Sequence, residues 1–148
     1  MQLYIHAVVA GILASVVDDG VALLRSRDRS FSHALAERAT DDPLYQKQLG
    51  ELAATAYIAR AAVLDAAEAI AAATASETDG TPDARLAEEA QLKVAKVKVH
   101  LDDVAPEAAT RLLELGGASA ASRQRNLDRH WRNIAPSRCT TRWRTKRG

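Results

Sequence analysis

The sequence predicts an all-α bundle of long antiparallel helices. Three observations carry that expectation. Alanine and leucine are abundant while aromatic residues make up only 4% of the chain, a composition that favours helix because neither side chain loses much freedom there. Apolar residues recur at three-to-four spacing over three long stretches, each of which draws one helical face. Between those stretches stand short polar breaks rich in Gly, Pro, Asp and Ser, the signals that stop and restart helices.

The first helix is expected from Leu3 to about Arg27, with Ile5, Val8, Val9, Ile12, Val16, Val17, Val21 and Leu24 on its apolar face. Its apolar run Tyr4–Val17 is short for a bilayer and Asp18–Asp19 follow it, so a buried helix, not a membrane span or signal peptide, is expected. The helix ends in the basic cluster Arg25–Ser32, where arginines complement the dipole of a helix C-terminus. Thr40–Pro43 is a start signal, with capping residues followed by proline at the first helical position. The second helix runs from Leu44 to about Ala75 along Leu49, Leu52, Ala56, Ala59, Val63, Ala67 and Ile70. At about 45–50 Å it implies a bundle and not a compact globule.

Ser76–Pro82 is a helix–helix connection. The third helix, Pro82 to about Leu115, places Leu86, Ala90, Val94, Val97, Leu101, Val104, Ala108, Leu112 and Leu115 on one face. Pro106 is expected to kink it, and Lys93, Lys96 and Lys98 to form a solvated face. Gly116–Gly117 ends it as a C-cap pair. Ser119 or Ser122 is expected to cap a fourth helix reaching about Asn133.

Charge and chemistry exclude several classes. Residues 135–148 carry five basic residues and no acid; without them, 15 basic residues face 19 acidic ones. The body is mildly acidic, so no nucleic-acid partner is expected. The lone Cys139 makes no internal disulfide, as in a cytoplasmic protein. His6, His33, His100 and His130 show no ligand spacing among themselves or with Cys139, so no metal site is expected. No phosphate-loop pattern precedes a helix, and no residue is assigned a catalytic role.

The run Leu115–Asn133, LGGASAASRQRNLDRHWRN, resembles the end of the C-terminal helical domain of the acyl-CoA dehydrogenase superfamily. The likeness is closer to its flavin-dependent monooxygenase branch, which includes dibenzothiophene monooxygenases and sulfur-acquisition oxidoreductases. It extends over residues 1–134 through the opening QLY, then RDRSFSHA and DDPLYQKQLGEL. In that family an N-terminal helical domain and a middle β-domain precede the bundle, and flavin (FMN or FAD) lies between domains and across a subunit interface. The resemblance implies that Arg29 and Phe31 meet the phosphate-bearing part of a neighbour's flavin, and that Gly116, Gly117 and Ser119 present the turn to that cofactor. It also implies a homo-oligomer, dimer or tetramer, and allows separately encoded N-terminal domains. Leu113–Glu114 stand where the dehydrogenases often have a glutamine, which leans away from a true dehydrogenase.

Residues 135–148 are expected to be an irregular basic tail. The family would continue RTLASHNPxxYKxR, where this chain reads APSRCTTRWRTKRG. One base restored after the codon of Ile134 turns a possible coding string into IRTLALHNPVAYKAR, so an out-of-frame end is expected; resequencing the locus tests it. The HNP histidine, which lies beside the flavin in the monooxygenase-like enzymes, is then lost. The expected function is a flavin-contacting and oligomerisation domain, inactive alone. The alternatives are a fragment of an FAD-dependent acyl-CoA dehydrogenase and a cofactor-free helical association module.

Overall fold

The computed structural model describes residues 2–27 and 38–139. Four helices form the expected all-helical bundle: α1 (Gln2–Arg25), α2 (Pro43–Ala75), α3 (Ala84–Gly116) and α4 (Arg129–Cys139). The three long helices each pack on the other two, and the short α4 lies against α1 and α3. Arg27, just past the end of α1, touches both Tyr45 at the start of α2 and Gly116 at the end of α3. The long helices therefore run up, down and up, which is the antiparallel order that short connections impose.

The start of α2 follows from its sequence. The Asp42 carboxylate accepts from the Leu44 N–H at 2.8 Å, and Pro43 fills the first turn, where its missing N–H costs nothing. At the far end, Asp79 and Gly80 both take positive φ, and Thr78 and Thr81 exchange backbone hydrogen bonds across them. Asp-Gly is suited to such a tight reversal. Asp83 then caps α3 by accepting from the Leu86 N–H at 3.0 Å.

The core is uneven along the bundle. Its main part joins Val9, Leu13, Val16, Leu23, Leu52, Val63, Val97, Leu101, Leu112, Leu115, Leu127 and Ile134. A smaller cluster near the α2–α3 connection consists of Ala69, Ala73 and Ala90 with Leu86 against it. The third-helix stripe is borne out almost residue for residue. In α2 the buried face passes through Ala66, Ala69 and Ala73 while Ile70 is exposed; an alanine-rich helix offers no contrast between faces, so the largest residue drew the stripe. In α1, Leu13 and Leu23 are buried and Val8 is exposed, for the same reason in an apolar run.

Two further expectations change. Helix α1 is apolar over more than Tyr4–Val17: it is long enough to cross a bilayer, with mean hydropathy 2.0, yet 39% of that window is buried in the bundle. Helix α3 is a single element on both sides of Pro106. The lysines of α3 are not all a solvated face, because Lys98 pairs with Asp102 and Lys93 reaches across to Asp65 at 2.7 Å.

That hydrogen bond to Asp65, assisted by the charges of Asp65 and Glu89, holds the Lys93 ammonium above its usual range. A raised lysine contributes in full below its unfolded pKa of 10.5 and loses that contribution only as pH climbs through the higher folded value. The Lys93 link is therefore expected to add no pH dependence between pH 7 and 9, which melting curves of wild type and Lys93→Met across that range check.

Candidate functional site

The sequence-predicted residues fall into two groups. Arg29 and Phe31 lie outside the described residues. Gly116, Gly117 and Ser119 lie together where α3 ends, at the same end of the bundle as Arg27 and Tyr45.

Each glycine of the turn has its own cause. Gly116 is buried, and a Cβ there would stand 2.2 Å from the Ala120 Cβ and 3.0 Å from the Leu23 Cδ2. Its identity is thus required by packing inside the chain. Its carbonyl accepts from Arg27 Nη2 at 2.6 Å and from Ser119 Oγ at 3.1 Å. Gly117 ends α3 with φ 58° and ψ −161°, a region that essentially only glycine occupies, and its N–H is held by the Glu114 carbonyl. The pair therefore ends the helix as the sequence predicts.

The chain does not enter the fourth helix at once. A short tight turn of helix, Gly117–Ala121, is followed by an extended Ser122 and a further turn ending at Asn126 with φ 47°. Neither Ser119 nor Ser122 caps α4, which begins ten residues later than Ser119, at Arg129. The reason is apolar spacing: Leu127, His130 and Ile134 are the buried residues, and no buried side chain precedes them until Ala120. The LDRHWRN signature is explained by the same spacing, with Leu127 and His130 turned inward and Trp131 half exposed. Helix α4 continues past Ile134 to Cys139, so Ala135–Cys139 of the expected irregular tail are helical. Ser137 is buried on that face, its hydroxyl donating to the Ile134 carbonyl at 2.7 Å, while Pro136 stays exposed.

Sequence reading missed the residues that hold this end together. The Arg27 guanidinium also donates to the Tyr45 hydroxyl at 3.3 Å and lies over the Tyr45 ring, 5.6 Å from its centre, an arrangement its planar fork allows. Asp19 accepts from Arg129 Nη2 at 2.5 Å and sits 2.5 Å from His130 Nε2. Tyr45 within DDPLYQKQLGEL was a signal; Asp19 gave none. A cleft of about 320 Å³ opens between α1 and residues 125–127, lined by Asp19, Ala22, Leu23, Ser26, Arg125 and Leu127. Outside it, Ala118, Ser119 and residues 121–126 are exposed.

Of these residues, Ser119 is exposed, Gly117 is half-buried and Gly116 is buried. The exposed part of the turn is small-residued, so another backbone or a cofactor can come close, and Arg123 and Arg125 add positive charge beside it. The same geometry limits Gly116, whose carbonyl and Cα both face inward. Among the described residues no group of three or more His, Cys, Asp or Glu is placed to hold a metal.

These residues define an all-helical bundle whose third helix ends in a glycine turn tied to the end of α1. The chain belongs to the acyl-CoA dehydrogenase C-terminal domain family, whose model matches residues 3–138. Among solved structures it is similar to the dibenzothiophene monooxygenase TdsC from Paenibacillus sp. A11-2. In the complex of TdsC with FMN and indole the identity is 28% and the TM-score 0.82, over 95% of this chain and 34% of that one. The indole-bound form gives 30% identity and the same TM-score of 0.82, over 95% and 35%. The methanesulfinate monooxygenase MsuC from Pseudomonas fluorescens shares the fold, with TM-score 0.83 at 24% identity over 93% of this chain and 35% of that one. No curated protein matches. The chain thus spans about a third of the length of these solved relatives.

Proposed function

We propose that this chain is the cofactor-facing and oligomerisation domain of a flavin-dependent monooxygenase of the acyl-CoA dehydrogenase type, and that FMN is its flavin. The observation that carries this reading is the match over 95% of the chain to a monooxygenase solved with FMN bound. Gly117 and Ser119 present the turn toward the cofactor, Gly116 supports it from behind, and Arg29 and Phe31 contribute to a flavin shared with a neighbouring subunit. When bound, the flavin supplies the oxygen chemistry and the protein supplies orientation and exclusion of water. Substrates are small organic molecules, often containing sulfur. Leu113–Glu114 before the turn favour this over an FAD-dependent dehydrogenase.

The domain acts only together with the two-thirds that precede it in the relatives, in one chain or as separately encoded partners. Exposed apolar residues along α2 and α3, among them Tyr57, Ile58, Leu64, Leu92 and Val99, supply contacts for a dimer or tetramer.

The test replaces the corresponding third of Paenibacillus TdsC with this chain. The purified hybrid is expected to carry FMN near one per subunit, and the chain alone to show no stoichiometric flavin absorbance. A folded, associated hybrid without FMN overturns the cofactor reading and leaves a helical association module. A full flavin spectrum from the chain alone overturns its dependence on the other domains.

A further inference from the structure

Residues 117–128 cross the end of the bundle between α3 and α4, and α1 reaches them at both ends. At the entry, Arg27 donates to the Gly116 carbonyl at 2.6 Å and rests on Tyr45. At the exit, Asp19 takes Arg129 and His130 together, both at 2.5 Å. Asp19 lies on α1 and Arg27 just past its end, so about 9 Å of helix, from Asp19 to Arg25, and one further residue separate the two anchors. Between the anchors only Ala120 and Leu127 are buried, so the segment has few apolar contacts of its own.

We propose that α1 and the residues that end it clamp this segment at two separate points, with Arg27 positioning the glycine turn and Asp19 positioning the start of α4. This rests on the reading of the turn as cofactor-facing. Neither residue is catalytic; each acts through the backbone it holds. The entry anchor is charge-assisted and short, the kind of hydrogen bond that contributes most. Without it, the Gly116 carbonyl loses its link to the end of α1 and is left with donors of the turn itself, the Ser119 hydroxyl among them. The exit anchor joins a carboxylate to two nitrogen groups, one of them on a His130 side chain only 4% exposed. Because the anchors share no side chain and stand far apart, their losses should be felt locally and independently.

Hydrogen exchange of the full chain tests this. Arg27→Met is expected to speed exchange of the amides at 117–121 by about tenfold, the factor implied by loss of one charge-assisted hydrogen bond, and to leave 129–134 unchanged. Asp19→Ala is expected to do the reverse. Arg27→Lys, which keeps a charged donor, should restore most of the protection at the turn. Unchanged exchange at 117–121 in Arg27→Met, or an equal rise at both stretches in both variants, overturns the proposal. Should Arg27→Met fail to fold, Tyr45→Phe loosens the same anchor by removing only the hydroxyl; faster exchange at the turn supports the clamp and no change overturns it. Arg27→Met in the TdsC hybrid separates the two readings. Faster FMN release alongside faster turn exchange supports both. Faster turn exchange with FMN retained unaltered leaves the clamp standing and removes the cofactor-facing reading.

Discussion

Leu112→Ala lowers the stability of the chain by about 2–5 kcal/mol, the range for removing a leucine from a core that cannot collapse around the gap. Leu112 is 0% exposed. It packs beside Gly20 of α1, where a Cβ would stand 3.0 Å from Leu49 Cδ1, 3.5 Å from Leu115 Cδ2 and 3.7 Å from Leu112 Cδ1. In a chain of this length each kcal/mol moves the melting temperature by roughly 2–4 °C, so a thermal melt reads the effect easily. Leu112→Met, which keeps the volume, should cost under about 1.5 kcal/mol. Equal losses for the two variants would show that the site is not tightly packed.

Gly116→Val is expected to destabilise by about 3 kcal/mol, the upper part of the usual range for overpacking. Even its first added carbon meets Ala120 at 2.2 Å and Leu23 at 3.0 Å, and Ala120 is itself wholly buried. Relief requires the tight turn after α3 to move. Gly116→Ala should cost less, and pairing it with Ala120→Gly should recover part of the loss, because the second change removes the obstructing methyl. A double-mutant cycle measures that coupling. Additive costs would show that the Ala120 methyl is not what constrains Gly116.

The three long helices were legible in the sequence because their period and their breaks are local. Asp42–Pro43 starts one helix, Asp79–Gly80 reverses the chain, and Gly117 ends another by geometry that other residues resist. The fourth helix was misplaced because Ser119 and Ser122 have the chemistry of caps, whereas the position of α4 depends on which side chains find a core, and Leu127 is the first after Ala120 to do so. The glycine turn was legible as a turn. Its internal burden was not, since it depends on Leu23 and on Arg27, whose contact with Gly116 spans 89 residues. The Asp19–His130 pair spans 111, and nothing near Asp18–Asp19 distinguishes which of the two carboxylates would turn inward.

The alanine cluster of Ala69, Ala73 and Ala90 lies at the opposite end of the bundle from the glycine turn. Small side chains let α2 and α3 lie close but give each contact little area to remove from water, so this end opens at lower free energy than the leucine-rich one. Asp79 and Gly80 at its tip are exposed, and a Cβ at Gly80 would meet nothing within 4 Å. A reporter peptide or affinity tag spliced there should leave the remote glycine-turn end unaltered, which makes this tip the natural handle for attaching the protein to a surface or a dye.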